Sequence, residues 1–482
     1  MCGVLLLHGP EAQRRLAACS RRLEHRGPDC TSNWIEGQTV IGFNRLAIND
    51  HGHTGQQPFL RGPYVAAING EIYNHAELIE RHDLSIDGCC DTSVVLPLFE
   101  FMGPGILDVL DGFYSGLIFD RRTKTLFCLR DHIGKKPLFV GRSGSEHFVT
   151  SELKALEEID WFHSLPLGVA KVDLESGATE LMGAHRKVPS PSSLRHLLED
   201  AVGKRLPRAD EPLGLFLSGG LDSSIVASLV ARSRPDAVAY CLANEDSPDH
   251  GYARLVVDAF GLSNVRVLRP PGLDELPELI EKVVHATESF NPSIVSNGLC
   301  TYLLAKAAHE DGIKVVFTGD GADEFFGGYH HFKEEDPWRD TRGRLVDDLH
   351  FTELRRLDSC SMAHSVETRC PFLDRAVCSR ADELPHDALY GSDRQQQNKV
   401  ILRRSFEDVL PAEVANRKKA SFDVGSGVRG AVVNYLRSCG RSEVNELEQV
   451  WRRLFRYDAR NPHFHSYPVF DEAIAVRGAT HR

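Results

Sequence analysis

The chain has 482 residues, of which 42% are hydrophobic and 26% charged, and its formal net charge is -12 at pH 7. This length exceeds one typical core and predicts two domains of a globular protein. The negative balance argues against a general nucleic-acid binder, and no stretch has the apolar length that a membrane-spanning helix needs. Twelve scattered cysteines without a Cys-x-x-Cys pair argue against a disulfide framework and favour a cytoplasmic protein.

The first third of the chain alternates short apolar runs with turn residues. Strands of a largely antiparallel sheet system are predicted at 3–7, 38–48, 64–69, 114–119, 125–130 and 147–151, and helices at 11–24 and 91–101. This pattern is typical of an α+β domain. Breakers and polar residues from Gly183 to Ser192 predict a linker, so we expect domains at 1–185 and 186–482.

After the linker, predicted strands alternate with helices, which implies a doubly wound parallel sheet. The expected order is a helix at 192–205, a strand at 213–217, a helix at 223–233, a strand at 237–242, a helix at 250–260, a strand at 264–268 and a helix at 275–287. Another strand is predicted at 315–317, and beyond 345 the chain reads as mostly helical. Such sheets bind ligands at the carboxyl ends of their strands.

Two polar loops follow predicted strands of this sheet, Ser218–Ser224 and Thr318–Glu324. The first joins a buried strand to a helix, so its backbone N–H groups would face a phosphate. A carboxylate inside that turn, Asp222, would repel the phosphate unless a divalent cation lies between them, which indicates Mg²⁺ with a polyphosphate. Taken alone, the first loop is equally compatible with a glycine-rich turn capped by serine.

The N-terminus carries a second candidate for chemistry. Cys2 becomes the first residue if Met1 is removed, and its α-amine, with a pKa of about 7.7 to 8.0, could then act as the base for its own thiol. The Asn69 side chain and the backbone N–H of Gly70 would form an oxyanion hole. Each of these residues taken singly also fits an ordinary structural role.

A planar arginine and two carboxylates together complement an amino-acid head group. Arg45, Glu71 and Asp91 supply these groups in the first domain. Two histidine pairs, His330-His331 and His463-x-His465, lack an evident third ligand and are interpreted as ordinary loop or surface residues.

Motifs in both domains, from residue 1 to about 425, resemble those of the asparagine synthetase family in order and spacing. This family comprises glutamine-dependent amidotransferases with an N-terminal nucleophile glutaminase domain. The motifs are Met1-Cys2-Gly3, His25–Asp29, Asn69–Asn74, Arg130–Leu138, Ser218–Ser224, Gly319–Gly328, Glu367–Asp374 and Arg417–Lys419. The resemblance implies an αββα N-terminal nucleophile hydrolase sandwich, followed by an α/β ATP-pyrophosphatase domain with a doubly wound parallel sheet.

The resemblance also implies roles for the first domain. Cys2 would attack the side-chain amide of glutamine while Asn69 and Gly70 hold the oxyanion, and the ammonia would pass through an internal tunnel to the second domain. The implied glutamine-binding residues are Arg45, Leu46, Ile48, Asn69, Gly70, Glu71 and Asp91.

In the second domain, the resemblance implies that ATP activates a carboxylate as an acyl-adenylate and releases pyrophosphate. Asp222 and Asp323 would carry Mg²⁺, Lys419 would neutralise charge as the adenylate forms and reacts, and Asp320 is a further candidate catalytic residue. The implied ATP-binding residues are Leu217, Ser218, Gly219, Gly220, Leu221, Asp222, Ser223, Ser224, Leu242, Thr318 and Gly319.

The chain departs from aspartate-specific members at a few positions. Those enzymes usually carry glutamate where this chain has Asp320, threonine at Ile294, and at Ser296 an arginine thought to help hold aspartate. Losing a guanidinium that faces a carboxylate would weaken recognition of free aspartate. Aspartate is the default acceptor, and another carboxylate of secondary metabolism or envelope modification is the alternative.

A non-catalytic sensor of glutamine or nucleotide is the alternative from another class. Retention of Cys2, Asp222, Asp323 and Lys419 argues against a sensor, because a binding module needs no nucleophile. The expected partners are therefore glutamine, ATP and the acceptor, with no nucleic acid or membrane, and a homodimer is a further possibility.

Overall fold

The structure, a computed structural model, describes residues 1–188, 191–244, 247–329, 338–390 and 398–457. It comprises two compact units. The first holds Met1–Arg186, Met362–Ser365 and the stretch that begins at Arg452, and the second holds Lys187–Ser361 and Val366–Trp451. Part of the predicted linker and both predicted histidine pairs, His330-His331 and His463-x-His465, lie outside the described residues.

The first unit consists mainly of strands. These are β1 Gly3–His8, β2 Cys30–Glu36, β3 Thr39–Arg45, β4 Phe59–Arg61, β5 Tyr64–Ile72, β6 Gly112–Asp120, β7 Thr125–Arg130, β8 Phe139–Ser143, β9 Glu146–Thr150, β10 Glu158–Ile159, β11 Trp161–Ser164, β12 Gly168–Val172 and β13 Thr179–Gly183. Its helices are α1 Ala12–Arg22, α2 His75–His82 and α3 Val95–Met102, with a 3-10 turn at Asp91–Val94.

Two six-stranded antiparallel sheets form the centre of this unit, in the orders β11-β8-β9-β1-β3-β2 and β13-β12-β7-β6-β5-β4. One hydrophobic core takes side chains from both sheets, including Leu6 and Phe43 from the first and Ala67 and Leu117 from the second, so the sheets pack face to face. A second core covers the other face of the second sheet with α2 and α3, while α1 packs on β1 and β3. The expected αββα sandwich is confirmed.

The second unit alternates helices and strands. Its helices are α4 Leu194–Gly203, α5 Leu221–Ala231, α6 Pro248–Phe260, α7 Leu276–Thr287, α8 Pro292–Glu310, α9 Ala322–Phe326, α10 Trp338–Asp347, α11 Glu353–Met362, α12 Arg375–Asp382, α13 His386–Leu389, α14 Val400–Ser405, α15 Ala412–Ala415, α16 Phe422–Gly425, α17 Val428–Ser438 and α18 Glu443–Leu454. Its strands are β14 Leu213–Phe216, β15 Val238–Leu242, β16 Asn264–Leu268, β17 Val315–Phe317 and β18 Glu367–Arg369. The last strand, β19 Arg456–Tyr457, belongs to the first unit, where it pairs with β10.

The five strands of the second unit form one parallel sheet in the order β16-β15-β14-β17-β18. The central strands β14 and β17 are buried throughout, as expected for a sheet with helices on both faces. The expected parallel α/β sheet is thus confirmed, and the carboxyl ends of β14 and β17 are neighbours. Within the described residues, no helix combines the length and apolar character needed to cross a membrane.

The structure extends the predicted elements at several points. Edge strands β2 and β13 were not predicted, since both expose much of their polar length to solvent. Helix α5 begins at Leu221 rather than at 223, so Asp222 lies in its first turn. Helix α8 covers the stretch containing Ile294 and Ser296. It begins there because the Asn291 side chain accepts hydrogen bonds from two backbone N–H groups of its first turn.

Candidate active sites

Cys2 immediately precedes β1, and two side chains hold its backbone. Its N–H donates to Asn69 Oδ1 at 2.8 Å, and Arg26 Nε donates to the Cys2 carbonyl at 3.1 Å. Asn69 and Arg26 are both fully buried. The backbone on either side of the Cys2 side chain is therefore fixed by hydrogen bonds, which is the arrangement an attacking thiol needs.

Arg26 is in turn held by the buried carboxylate of Glu152. Arg26 Nη1 lies 2.6 Å from Glu152 Oε1, while His25 Nε2 and Lys154 Nζ each lie 2.8 Å from Glu152 Oε2. Burial alone would raise the pKa of Glu152, but Lys154, His25 and Arg26 together hold it well below its usual range. Glu152 was not predicted as a site residue, because its role depends on contacts more than 120 residues away in the chain.

Asn69 and Gly70 lie side by side on β5. The backbone φ of Gly70 is +144°, and a Cβ at this position would lie 2.1 Å from the Phe113 carbonyl oxygen, so only glycine fits. Asn69 Nδ2 is buried and has no hydrogen-bond partner among the described residues. An amide donor left free beside the nucleophile is suited to bind an oxyanion.

Two of the three predicted head-group residues, Glu71 and Asp91, contact a residue that was not predicted, Asn49. Its side-chain amide donates to Glu71 Oε2 and, at 3.4 Å, to Asp91 Oδ1. Asp91 Oδ2 also accepts from the Ile72 backbone at 2.6 Å. The structure therefore brings Glu71 and Asp91 together as two buried carboxylates that share one amide donor.

The other predicted glutamine-binding residues lie at the end of β3. Arg45 donates to the backbone carbonyls of Gly52, at 2.6 Å, and of Asp50, so its guanidinium contacts the loop that follows. Leu46 and Ile48 have buried side chains. Direct binding of a substrate carboxylate by Arg45 stays a prediction.

In the second unit, the loop from Ser218 to Gly220 leads from β14 into α5. Ser218 Oγ lies 3.1 Å from Ser223 Oγ and accepts from the Gly220 N–H at 3.3 Å. No side chain among the described residues caps the N-terminus of α5. Its first N–H groups and its partial positive charge are therefore available to an anion.

The second polar loop lies against the first, because the two loops follow the neighbouring parallel strands β17 and β14. A Cβ at Gly319 would lie 2.8 Å from the Ser223 backbone nitrogen and 2.9 Å from Asp222. Only a residue without a side chain permits this approach. The close contact brings the carboxylates of Asp222 and Asp323 to the same place.

Two lysines contact these carboxylates. Lys399 Nζ lies 2.5 Å from Asp222 Oδ2 and 2.5 Å from Asp323 Oδ1, and Lys419 Nζ lies 2.5 Å from Asp323 Oδ2. Burial would raise the pKa of Asp323, but the two ammonium groups hold it well below its usual range. Burial conversely opposes the charge of Lys419, whose pKa is nevertheless raised by Asp323 and Asp222. Both groups are thus ionised at neutral pH.

The donor set fits a magnesium ion bound together with a polyphosphate. Asp222 Oδ1 is a buried acceptor without a hydrogen-bond donor among the described residues. The carboxylates of Asp222 and Asp323 both contact the ammonium group of Lys399, so they lie close enough to share one cation. The described residues contain no cluster of three or more acidic, histidine or cysteine ligands. Two protein carboxylates with phosphate oxygens are a usual ligand set for Mg²⁺.

Asp320 is fixed by ionic and polar contacts on the same side of the sheet. Arg356 Nη2 lies 2.6 Å from Asp320 Oδ1, and Thr318 Oγ1 donates to Asp320 Oδ2. The same guanidinium also bonds Thr301, at 2.7 Å, and Glu353. Asp320 is therefore a positioned anion, and a role for it as a base stays a prediction.

A neighbouring carboxylate, Glu324, has the opposite electrostatic character. Burial and the charges of Asp323 and Glu353 raise the pKa of Glu324 to about 8. Its Oε1 accepts from the Tyr329 hydroxyl at 2.5 Å. Glu324 is thus mostly neutral at pH 7, beside an ionised Asp323.

A cavity of about 460 Å³ joins these groups. Its wall includes most predicted nucleotide residues and four basic residues that the sequence did not single out, Lys399, Arg356, Arg403 and Arg429. Four other predicted nucleotide-binding residues are buried and do not line the cavity, so their contacts with ATP stay predictions. They are Leu217, Gly219, Ser224 and Leu242. Lys399 has a left-handed backbone conformation, with φ of +57°, immediately before α14, but the sequence does not predict this conformation.

Comparisons with known proteins match the two parts of the chain to two different domain families. Residues 1–177 match the model of the glutamine amidotransferase domain, and residues 193–353 and 344–467 match that of asparagine synthase. The glutamine-hydrolysing asparagine synthetase of Brassica oleracea is 32% identical over 467 residues, covering 89% of this chain and 78% of that protein.

Two further similarities differ in strength. The glutamine-hydrolysing asparagine synthetase of Zea mays is 32% identical over 516 residues, covering 99% of this chain and 85% of that protein. The glutamine phosphoribosylpyrophosphate amidotransferase from B. subtilis, solved with ADP and GMP, is 17% identical with a TM-score of 0.34, covering 66% of this chain and 81% of that one. On the domain matches and the synthetase relatives, the chain belongs to the glutamine-hydrolysing asparagine synthetase family.

Proposed function

We propose that this chain makes L-asparagine from L-aspartate, L-glutamine and ATP, and releases L-glutamate, AMP and pyrophosphate. The observation that carries the proposal is the meeting of Asp222 and Asp323, from two neighbouring strand ends, in a cavity that also holds Lys419 and Asp320. This is a site for activating a carboxylate with a metal-bound nucleotide. The family membership supports the identity of the product.

In the first unit, the Cys2 thiol would attack the glutamine amide carbon and expel ammonia, leaving a thioester that water hydrolyses to glutamate. Asn69 Nδ2 and the Gly70 N–H would stabilise the charge on the carbonyl oxygen in both steps. After removal of Met1, the new α-amine would be placed by Asn69 Oδ1, because the Cys2 nitrogen already donates to that atom. Glu71 and Asp91 would bind the glutamine ammonium.

In the second unit, a carboxylate oxygen of the acceptor would attack the α-phosphorus of ATP, and pyrophosphate would leave. Ammonia would then attack the acyl-adenylate and displace AMP. Mg²⁺ held by Asp222 and Asp323 would neutralise the leaving pyrophosphate. Lys419 would stabilise the negative charge that develops on the phosphate and on the attacked carbonyl.

The decisive experiment incubates purified protein with aspartate, glutamine and MgATP, and follows asparagine by chromatography and pyrophosphate by an enzyme-coupled assay. We expect equal amounts of asparagine, AMP and pyrophosphate. Glutamate release without asparagine, together with pyrophosphate release from ATP in the presence of a different carboxylate, would identify that carboxylate as the acceptor in place of aspartate. If neither glutamate nor pyrophosphate is formed with any acceptor, the enzyme hypothesis is excluded and the protein is a binding protein.

We further propose a cytoplasmic enzyme that forms a homodimer and binds no nucleic acid. The net charge of -12 and the twelve cysteines, all free in the structure, support the location and the absence of nucleic acid. Light scattering of the purified protein tests the dimer, and a mass of one chain would contradict it.

A further inference from the structure

The segment that carries Lys419 has no regular secondary structure. Residues 417–421 connect α15 to α16 without helix or strand, and residues 418–421 are exposed. A lysine that neutralises charge in a reaction must be held in place relative to the phosphate that it meets. The backbone of a helix or strand does not do this here, so the position of Lys419 depends on side-chain contacts of its neighbours.

Arg417, at the start of this segment, contacts the phosphate loop. Its Nη1 donates to the Ser218 carbonyl oxygen at 2.9 Å, and its guanidinium lies over the Tyr252 ring, 4.3 Å from the centroid. Tyr252, on α6, lies close to the same loop, since a Cβ at Gly219 would be 2.6 Å from the Tyr252 Cβ. One guanidinium therefore joins the phosphate loop and α6 to the segment that carries Lys419.

A buried carboxylate on α6, Asp249, holds Arg417 in this place. It forms an ion pair with Arg417 Nη2, and the two side chains are only 4% and 9% exposed. Burial raises the pKa of Asp249 and Arg417 opposes this rise, so the charge of the carboxylate depends on this partner. A Cβ at Gly425, on α16, would lie 2.4 Å from Asp249 Oδ2. Asp249 thus contacts the chain both before and after Lys419.

Other contacts of this region lead to other elements. Arg403, on α14, donates to the Arg417 carbonyl oxygen at 3.2 Å. Asp423 Oδ2, on α16, accepts from Ser296 Oγ of α8 at 2.8 Å. These two contacts join the segment to α14 and α8, whereas the Arg417 side chain joins it to the phosphate loop.

We propose that Arg417 and Asp249 are positioning residues, which together keep Lys419 at a fixed distance from the phosphate loop while the carboxylate is activated. Arg417 acts by direct contact with the loop, and Asp249 acts by orienting the guanidinium. A planar guanidinium suits this role because its N–H donors point to a carbonyl and a carboxylate in fixed directions at once. The assignment rests on the proposed function, since Lys419 acts in that reaction.

The test follows pyrophosphate release with ammonia as nitrogen donor, so the first unit takes no part and the acceptor can be any carboxylate that the wild type accepts. The stoichiometry of MgATP binding, measured by titration calorimetry, counts the intact sites and corrects each kcat for unfolded protein. Arg417→Gln should lower kcat per site about 10- to 100-fold, because a misplacement of about 1 Å costs up to about 10²-fold. The KM for ATP should change less than about threefold, since the carboxylates for Mg²⁺ and the N-terminus of α5 remain. Arg417→Lys should recover little, because one ammonium group cannot make both contacts in the same directions.

A double-mutant cycle tests whether Asp249 acts through Arg417. Asp249→Asn should lower kcat per site about 10-fold, and the double variant should stay within about threefold of Arg417→Gln alone. Asp374→Asn is the matched control, because Asp374 forms a similarly buried ion pair with Arg205 and lies outside the described wall of the cavity. It should lower Tm but keep kcat per site within about two-fold of wild type.

Three results would overturn the assignment. They are an unchanged kcat per site in Arg417→Gln, an equal loss of kcat per site in Asp374→Asn, and losses that multiply in the double variant. A wild type that releases no pyrophosphate with any carboxylate would instead refute the proposed function, so the two failures are distinguishable.

Discussion

The two candidate sites are built in contrasting ways. The candidate glutaminase site uses buried residues on or next to strands, such as Asn69 on β5 and Cys2 immediately before β1, and its distances are set by the backbone of these strands. The synthetase site is a charged cavity, where Asp222, Asp323, Lys399 and Lys419 hold one another by ion pairs. The first site is preorganised by hydrogen bonding in a sheet, and the second by balanced charge. Substitutions should therefore affect the activities of the two sites in different ways.

The largest expected effect comes from Cys2→Ala. Glutamine-dependent synthesis should fall by at least about 10⁴-fold, because no other group can form the thioester. Ammonia-dependent synthesis should stay within about two-fold of wild type. Both rates are measured as asparagine formed under saturating MgATP and aspartate. Equal loss of both rates would show that the sites are not separable.

Asp222→Asn tests the charge balance of the second site. The amide would lose the negative charge that pairs with Lys399 and that the proposed Mg²⁺ ligand requires, so we expect MgATP to bind at least about 10-fold more weakly by titration calorimetry. Glutamine hydrolysis should be unaffected. Asp236→Asn serves as control, since that aspartate is largely exposed and pairs only with Arg234 among the described residues. Unchanged MgATP affinity would contradict the proposed ligand role.

Glu152→Gln tests how far the first site depends on a buried charge. We expect the kcat for glutamine hydrolysis to fall about 10-fold with little change in KM, because Arg26 would lose the anion that fixes it on the Cys2 carbonyl. The pH dependence of Cys2 alkylation by iodoacetamide should also shift.

The matched control for this change is Glu146→Gln. Glu146 is as buried as Glu152 and forms an ion pair with Arg15. It lies on β9, the strand that ends two residues before Glu152. Both variants should lose stability, since each breaks a buried pair, but only Glu152→Gln should move the alkylation profile. Identical profiles would reduce Glu152 to a structural role.

The smallest expected effect concerns Glu324. Its folded pKa of about 8 lies above the ordinary 4.5, so its favourable contribution to stability is complete below pH 4.5 and is lost as pH rises through 8. The neutral Glu324→Gln should therefore gain stability relative to wild type between these values. The difference in Tm, measured by calorimetry at pH 5, 6.5 and 8, should grow by a few degrees. A constant difference would place the Glu324 pKa near its ordinary value.

The sequence predicted the fold well because both units follow local rules. Period-two runs marked the buried strands, and the alternation of strands and helices marked the parallel sheet. The meeting of the two polar loops depends on the pairing of β14 with β17, and the sequence analysis made no prediction of this strand order. The exposed edge strand β13 was missed because four of its five residues face solvent and show no apolar pattern.

The side chains that complete each site could not be predicted in the same way. Asn49, Glu152 and Lys399 have no motif of their own, and each acts through partners far away in sequence. Lys399, for example, reaches Asp222 across 177 positions. Only the packing of α14 against the rest of the unit decides where its ammonium lies. Local patterns contain no information about such a contact.

The order of the sites along the chain has a consequence for synthesis. Cys2, Asn69, Asp91 and Glu152 all precede the second unit, whereas the nucleotide site is incomplete until Lys419 has been made. At about 5 to 20 residues per second, the 233 residues from Arg186 to Lys419 take roughly 10 to 50 s to translate. For that interval a growing chain carries the residues proposed to release ammonia without all of those proposed to consume it.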